Sequence, residues 1–413
     1  MSGASRPGVD GASAATASGR LRFAGAVRGG ALERATEADR CARVALSRLA
    51  EPPSGPIIRL VAEVGAEETL RIVTGDAPGA LVNPGPRQEA EPVRLERWRH
   101  RLATVDVDRD LALGARVGAR FLVPSDPEWP PQLDVLGEEG PLGLWVRGPL
   151  PVPAAGGSVA VVGSRAATAY GEHVASTLAA GLAERGMVVV SGAAFGIDAA
   201  AHRGALAARG GTVAVLACGV DLPYPRAHEG LLRRISEVGL IVSEYAPGTS
   251  VTRGRFLQRN RLLAALSAGT VLVEAGLRSG ARSTATHARQ LLRPLMVVPG
   301  PVTSPTSAGC HVELRRGDAV LVTDADEVLE VVGPFGQSAA PDKREQRRRR
   351  LDGLDPDELR VFDAMPLSAG IDVDALAVGA AMAVPELLAR LAEMAAAGLV
   401  EPTPGGWRRR GRG

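Results

Sequence analysis

Residues 158–202 read SVAVVGSRAATAYGEHVASTLAAGLAERGMVVVSGAAFGIDAAAH, and this stretch contains one pattern twice. A short apolar run, first at residues 159–162 and again at residues 187–190, ends at a glycine-containing turn and leads into a segment with helical spacing. A buried parallel strand that turns directly into a helix has this pattern. We therefore predict two strands whose glycine turns lie side by side at the carboxyl edge of one sheet.

The alternation of apolar runs and helical segments continues toward the carboxyl terminus. Further strands are predicted at residues 212–217, 240–243, 270–273 and 295–298, with helices between them at residues 227–237, 255–267 and 281–293. Such alternation specifies parallel pairing with right-handed crossover connections. The predicted fold class is therefore α/β, a doubly wound, mostly parallel sheet that binds its ligand beyond the carboxyl ends of its strands.

The two glycine turns favour the binding of an anion. Backbone N–H groups are unpaired where a helix begins, and the helix dipole attracts negative charge there. The same glycines also permit close packing of strand on helix, so a phosphate site and a packing role both stay open. The first strand is not followed by GxGxxG, and the only lysine is Lys343, which excludes a Walker-type loop. The candidate binding residues of the turns are Gly163, Ser164, Arg165, Ser191, Gly192 and Gly196.

Composition narrows the classes of partner and site. The 413 residues, 45% of them hydrophobic, suffice for two or three domains, and a formal charge of +2 does not demand a polyanion. Nearly all cationic residues are arginine, which suits bidentate phosphate contacts. The three cysteines form no CxxC pair, so we predict no disulfide framework, metal or cofactor. No apolar run reaches about 18 residues, so we predict no membrane segment and a cytoplasmic location.

Arginine is concentrated at the start of one predicted helix. The candidate binding residues there are Arg253, Arg255, Phe256, Arg259, Asn260 and Arg261. Phosphates and stacked bases suit such a cluster. Alternatively, Arg259 and Arg261 pair with Asp198 or Glu274 to hold the loops, and both interpretations can be true together. We expect Asp198 and Glu274 to orient arginines rather than to act as acid and base.

The regions that precede the sheet are predicted as separate parts. Residues 1–30 read as a disordered tail, residues 31–124 as a helical domain, and residues 125–157 as a turn-rich connector to the sheet domain at residues 158–334. Within the helical domain, residues 60–65 read LVAEVG and precede another helix. That string suits either a DNA contact of the helix-hairpin-helix type or ordinary helix packing.

The carboxyl end is predicted as a tethered domain. Residues 335–352 contain Lys343, Arg344 and the run 347–350 of four arginines without an apolar anchor, which indicates a basic linker. Residues 353–413 show three short helical patterns and a small hairpin, the order of a winged helix. The exposed face of its last helix has mixed charge, so DNA reading and protein contact both stay open.

Ordered motifs between residues 158 and 332 resemble the DNA-processing protein A family, also called Smf. They are VVGSR (161–165), YG (170–171), SGAAFGIDAAAH (191–202), YPR (224–226), SEY (243–245), FLQRNR (256–261), VEA (273–275), SG (279–280) and VPG (298–300). The resemblance implies an extended Rossmann-like domain that binds single-stranded DNA without strong sequence preference. It also implies a homodimer that hands the strand to the recombinase RecA during natural transformation.

The resemblance places the strand-binding pocket on particular residues of this chain. It falls on Ser164 and Arg165, on the turn at residues 191–198 and on residues 256–261, and we add Ser279 and Gly280 to the candidate DNA-binding residues. The chain departs from the family pattern, so individual contacts are expected to differ. The departures lie at Ala193, at residues 281–285 and at Cys310 with His311. The helical amino-terminal region resembles the family's sterile-alpha-motif-like extension only loosely.

The histidines do not form a catalytic constellation in the sequence. The six are scattered, without HxxxH spacing or an obvious serine or cysteine partner, so we predict that the protein is not an enzyme. The alternative is a nucleotide-processing enzyme similar to the phosphoribohydrolases, with Glu274 acting on a nucleoside monophosphate. Those enzymes carry a PGGxGTxxE signature that is absent here. A purely structural scaffold would leave the arginine cluster unexplained.

Overall fold

The structure is a computed structural model, and it describes residues 36–75, 91–333, 354–366 and 370–409. The predicted tail at residues 1–30 and the predicted basic linker at residues 335–352 lie outside the described residues. Two compact units are present, Met1–Val332 and Gly333–Gly413. The finer domain boundaries that the sequence suggests stay predictions.

Nine strands of the described residues form one sheet in the order β1-β2-β6-β5-β4-β3-β7-β8-β9. They are β1 (Ala119–Leu122), β2 (Leu144–Arg147), β3 (Ser158–Val162), β4 (Val188–Ser191), β5 (Thr212–Leu216), β6 (Leu240–Ser243), β7 (Gly269–Leu272), β8 (Leu295–Val297) and β9 (Ala319–Leu321). Every pairing among the strands β3 to β9 is parallel. The predicted doubly wound, mostly parallel α/β sheet is confirmed.

Helices connect the strands and precede the sheet. In the first unit they are α1 (Glu37–Leu49), α2 (Gly55–Val64), α3 (Ala66–Thr74), α4 (Glu91–Arg101), α5 (Val107–Arg116), α6 (Ala169–Glu184), α7 (Ile197–Ala207), α8 (Glu229–Val238), α9 (Arg253–Ala265), α10 (Ala281–Gln290), α11 (Ala308–Arg315) and α12 (Ala325–Val332). The chain runs outward from β3 through β4, β5 and β6, and then returns to β7 on the other side of β3. This reversal makes β3 and β7 the switch point, where the loops after the strands diverge and a ligand has room.

The central strands are buried on both faces. In β3, Val159 and Val161 face one hydrophobic core while Val162 faces the other, and Val189 and Val190 divide in the same way in β4. Because successive side chains of a strand point to opposite faces, strands covered on both sides need uninterrupted apolar runs. Burial on both faces therefore accounts for the apolar runs at residues 159–162 and 187–190.

The strands β1 and β2 were not predicted. The strand β1 pairs with β2, and β2 pairs with β6, both in antiparallel fashion. Trp145 of β2 is fully buried under α5. A Cβ atom at Gly114 of α5 would lie 2.5 Å from the Trp145 ring, so the helix can approach only because that residue has no side chain. The surrounding prolines led the sequence interpretation to a connector, because proline usually marks turns.

The helices before the sheet have a core of their own. The buried residues Leu46, Leu49, Ile57, Val73 and Trp98 pack together there. A glycine with φ of 85° at position 65 separates α2 from α3. The string 60–65 thus forms the end of one helix and a sharp turn. Its DNA-contact interpretation stays a prediction.

The second unit is small and has a separate core. Within residues 354–366 and 370–409, three helices precede an antiparallel hairpin, in the predicted order. They are α13 (Pro356–Ala364), α14 (Val373–Ala380) and α15 (Val384–Ala396), followed by β10 (Val400–Thr403) and β11 (Gly406–Arg409). On α15, Arg390 pairs with Asp355 at 3.0 Å and with Glu393 at 3.2 Å, so its charge is already matched. The name winged helix stays a prediction.

Among the described residues, no single helix is long and apolar enough to span a membrane. The pair Val373–Ala380 and Val384–Ala396 reaches that length and composition only when joined across a bend of 97°.

Candidate nucleic-acid interface

The two glycine turns meet at the carboxyl edge of the sheet. The strands β3 and β4 are parallel neighbours, and the backbone N–H of Ile197 donates to the carbonyl oxygen of Ser164 at 3.2 Å. Gly196 has a φ of 71°, and any Cβ atom there would overlap that carbonyl. At the first turn, a Cβ atom on Gly163 would lie 2.6 Å from Ile197. The prediction that the two turns lie side by side is confirmed.

A buried guanidinium lies beneath the second turn. Arg259 donates to the carbonyl oxygen of Val215, and a Cβ atom on Gly192 would overlap its guanidinium. Its Nε is buried without a hydrogen-bond partner in the described structure. Ser191, also buried, donates from Oγ to the carbonyl oxygen of Val161 at 2.6 Å. Glycine at position 192 therefore serves the packing of an arginine, and Ser191 ties the turn to β3.

Asp198 supports this turn without forming an ion pair. It is buried, and its carboxylate accepts from the backbone N–H of Ala194 at 3.3 Å. Burial raises the pKa of Asp198, and the nearby Arg259 opposes that rise. Burial also disfavours the charged form of Arg259, and it therefore lowers the pKa of that guanidinium. The two groups interact through space, so Asp198 balances part of the buried charge while bracing the loop.

Arg261 is an interior residue, which corrects the prediction that it reaches DNA. Its side chain is 1% exposed, and its Nη2 donates to both carboxylate oxygens of Glu244, at 2.7 and 2.8 Å. Its Nε donates to the carbonyl oxygen of Glu139 and its Nη1 to that of Gln258, at 2.7 and 3.0 Å. The expected partners Asp198 and Glu274 are not used. Glu244 follows β6, and only the tertiary fold brings it to Arg261. The sequence pattern of α9 therefore does not predict Glu244 as the partner of Arg261.

Glu274 does not orient an arginine, which is a second correction. The buried carboxylate accepts from the backbone N–H and the hydroxyl of Thr168, at 2.9 and 2.7 Å, and from the hydroxyl of Thr306 at 3.1 Å. Thr168 is the residue that caps α6. A carboxylate at a helix start is favoured by the unpaired N–H groups and the dipole. Glu274 therefore fastens the start of α6 to the end of β7.

Two further predicted residues are occupied by contacts within the protein. Arg255 pairs with Glu51 of the helical region through Nε at 2.5 Å and Nη2 at 3.1 Å. Asn260 is buried and donates from Nδ2 to the carbonyl oxygen of Gly280 at 3.2 Å and to Ser283 Oγ at 2.7 Å. The turn of Ser279 and Gly280 is thus held against α9 rather than left free.

Three of the remaining predicted residues, the exposed Arg165 and Arg253 and the half-buried Phe256, form a cluster with Tyr224 that we call the Arg–aromatic surface. The guanidinium carbon of Arg165 lies 4.2 Å from the centre of the Phe256 ring, and the Tyr224 ring lies 5.7 Å from Phe256. Tyr224 is 40% exposed. Arg253 lies exposed in the first turn of α9, and neither arginine forms an ion pair with any described residue. The surface therefore offers two cations that have no ion-pair partner among the described residues, beside two aromatic rings.

Sequence reasoning missed part of the aromatic content of this edge. Tyr224 was quoted within the YPR motif but not named as a site residue. Phe195 was passed over within the second turn, although its side chain is 47% exposed and its ring centre lies 4.7 Å from that of His228. Each is one of few aromatic residues in a chain where they make up 3%. That scarcity, in residues beside predicted loops, was the available signal.

The described residues do not group metal ligands. No set of three or more His, Cys, Asp or Glu side chains among them is placed to hold a metal ion.

Residues 120–333, more than half of the chain, match the family model described as DNA recombination-mediator protein A. The chain belongs to the DNA recombination-mediator protein A family. The resemblance drawn from the ordered motifs is thereby confirmed.

Relatives of the DNA recombination-mediator protein A family match over most of this chain. The DprA protein of Mycobacterium tuberculosis is 45% identical over 379 residues, covering 88% of this chain and 92% of that protein. Protein Smf of Escherichia coli is 37% identical over 294 residues, covering 69% and 76%. The X-ray structure of DNA processing protein A from Streptococcus pneumoniae superposes with a TM-score of 0.56 at 27% identity, covering 72% of this chain and 98% of that chain.

Proposed function

We propose that this protein binds single-stranded DNA through the Arg–aromatic surface, without strong sequence preference. The observation that carries the proposal is the guanidinium of Arg165 held 4.2 Å from the centre of the half-buried Phe256 ring, with Tyr224 beside it. A guanidinium presents charge to a phosphate, while an aromatic face accepts a base by stacking.

The surface suits an unpaired strand better than a duplex. Bases of a duplex are stacked on one another and paired, so their faces are not available to Phe256 and Tyr224. Stacking tolerates any base because every base has a π-face, and neither ring can read hydrogen-bonding edges. The exposed cations Arg165 and Arg253 add a sequence-independent attraction to the backbone.

Family membership supports the wider part of the proposal. We propose that the protein delivers the bound strand to the recombinase RecA during DNA uptake and recombination, acting in the cytoplasm as a homodimer. The description of the family as recombination mediators and the DNA-processing names of its relatives support this role. The role requires binding and transfer of a strand rather than chemistry on it.

We propose that the protein is not an enzyme. The phosphoribohydrolase-like alternative needs Glu274 as its catalytic group, but that carboxylate accepts three hydrogen bonds from Thr168 and Thr306 and is buried. It is therefore engaged in holding α6. Release of base from nucleoside monophosphates, followed by chromatography with the purified protein, tests this alternative, and turnover that Glu274→Gln abolishes would establish it.

The binding proposal is tested by titrating the protein into a fluorescein-labelled oligothymidine and into a labelled duplex of equal length. Fluorescence anisotropy at moderate salt should show tighter binding of the single strand. A mixed-sequence single strand should bind with an affinity close to that of oligothymidine. Equal affinity for strand and duplex would contradict the proposed surface.

A further inference from the structure

A second aromatic pair lies near the Arg–aromatic surface, formed by Phe195 and His228. Phe195 belongs to the turn between β4 and α7, and nearly half of its side chain is open to solvent. The two ring centres lie 4.7 Å apart with an angle of 62° between their planes. This edge-to-face arrangement supports one side of the Phe195 ring and leaves ring surface free.

The supporting ring is itself fixed. His228 is buried, and its Nδ1 lies 3.0 Å from the carbonyl oxygen of Ala193. Because a carbonyl oxygen can only accept, Nδ1 carries the proton and donates to it. Phe195 therefore rests on a neighbour anchored to its own turn. A ring that is held in place before binding loses little freedom when a ligand stacks on it.

Two connections join this pair to the Arg–aromatic surface. His228 stands four residues after Tyr224, and its backbone N–H donates to the carbonyl oxygen of Pro225 at 2.8 Å. Four residues of chain span no more than about 14 Å, the reach of a few nucleotides. On the other side, Phe195 adjoins Gly196, which packs on the backbone of Ser164 and Arg165.

We propose that Phe195 is a second stacking platform for an unpaired nucleobase. One segment of strand then occupies both aromatic pairs, with Arg165 on the backbone path that links them. This inference rests on the proposed function and deepens it, because it names a subsite and its ligand class. Single exposed apolar side chains are ordinary on protein surfaces. Phe195 differs from them by its anchored partner and by its place beside a guanidinium at the carboxyl edge.

The test compares the variants Phe195→Ala and Phe195→Trp with the wild-type full chain, using labelled oligothymidine. Loss of one base–aromatic stack should weaken binding by about 5- to 150-fold in Phe195→Ala, and tryptophan should restore it. The slope of log K against log salt should stay at the wild-type value, because no phosphate contact is removed. Thermal melts followed by circular dichroism should match the wild type, since the side chain is half exposed.

Abasic oligonucleotides locate the stack directly. An abasic site moved along the strand should weaken binding to the wild type at one position more than at its neighbours, and Phe195→Ala should remove that position's effect. Leu292→Ala provides the control, because Leu292 is 92% exposed and lies in the loop that leads into β8, at the opposite edge of the sheet. That variant should bind as the wild type does.

The outcomes separate this inference from the proposed function. If the wild type prefers single strands and Phe195→Ala binds equally well, the second platform is wrong and the function stands. If Phe195→Ala weakens binding and also lowers the salt slope, the residue shapes a phosphate contact and the stacking inference is overturned. A wild type that shows no preference for single strands overturns the proposed function and this inference with it.

Discussion

The first turn of α9 and the remainder of that helix hold arginines in opposite environments. Arg253 is exposed and forms no ion pair with described residues, whereas Arg259 and Arg261 are buried. Every residue of α9 from position 259 to its end is buried. Depth along this helix, rather than the face on which a residue lies, therefore decides whether a guanidinium meets solvent.

The buried arginines build the edge that the exposed ones can use. Arg261 joins α9 to Glu244 after β6, and Arg259 fills the space beneath Gly192. Arg165 and Arg253 are exposed and have no ion-pair partner among the described residues. The comparison predicts that the two groups respond differently to substitution, in stability for one and in affinity for the other.

Arg261→Ala should produce the largest effect. It leaves Glu244 as a buried charge without its partner, and removal of one member of such a pair costs about 3–5 kcal/mol of unfolding free energy. Urea unfolding followed by circular dichroism measures the loss. In Arg261→Met combined with Glu244→Leu both charges are gone, and most of the stability should return. A single variant as stable as the wild type would contradict the structural role of the buried Arg261–Glu244 pair.

Like Arg259 and Arg261, His202 is a buried basic residue, but its imidazole ring is neutral. Its Nδ1 lies 2.7 Å from Thr212 Oγ1, and because that hydroxyl donates to Val189, Nδ1 is the donor. Burial lowers the pKa of His202 to about 3, helped by the charge of Arg259. In the unfolded chain the pKa of histidine is about 6.5. Between these two pKa values, His202 is protonated in the unfolded chain but neutral in the folded protein.

Stability should therefore fall as the pH falls from about 6.5 toward about 3, by no more than about 1.4 kcal/mol for each pH unit. His202→Gln should remove this part of the dependence. Asp198 has a raised pKa and acts in the opposite direction, so the informative quantity is the difference between the two proteins. Urea unfolding at several pH values measures it. Parallel profiles for wild type and variant would place the titration elsewhere.

Arg165→Ala tests the exposed group. Binding of oligothymidine should weaken by about tenfold, or about 1.4 kcal/mol, and the salt slope should drop by about 0.7 as one single-strand phosphate contact is lost. The melting temperature should not change, because the side chain is exposed. Arg209→Ala, after the end of α7 and hence at the opposite sheet edge, is the matched control. A lower melting temperature with an unchanged salt slope would show that Arg165 stabilises the loops and does not bind a phosphate.

Arg255→Ala should have the smallest effect. This variant tests whether Arg255 belongs with the arginines that bind DNA or with those that are paired inside the protein. Its partner Glu51 is partly exposed, and such pairs contribute about 1 kcal/mol or less to stability. Because Glu51 already neutralises Arg255, the salt slope of DNA binding should stay at the wild-type value. Anisotropy titrations at several salt concentrations check this. A slope reduced as far as in Arg165→Ala would move Arg255 into the exposed group.

The sheet could be predicted because burial on both faces imposes uninterrupted apolar runs. The apolar runs around Val161 and Val190 are typical of strands that are buried on both faces. Their strict alternation with helices specifies parallel pairing. The edge strands β1 and β2 lack this signature. They are four residues long, and Trp145 of β2 is covered by α5, which approaches it closely at Gly114.

The candidate site could be predicted only in part. Sequence order places Arg165 after a strand and Phe256 in a first helical turn, and both prove exposed or half exposed. The partners of the other charged residues come from distant segments, such as Glu244 for Arg261 and Thr168 for Glu274. Patterns within one element describe burial along it, whereas the identity of a partner depends on how elements are assembled.

The contact between Gly114 and Trp145 bears on where this polypeptide can be shortened. The family match begins at residue 120, so a fragment designed from that boundary would lack α5. Trp145 would then lose the helix that covers it. A fragment that begins upstream of Val107 retains the covering helix. For protein production, the folding unit is thus longer than the evolutionary one.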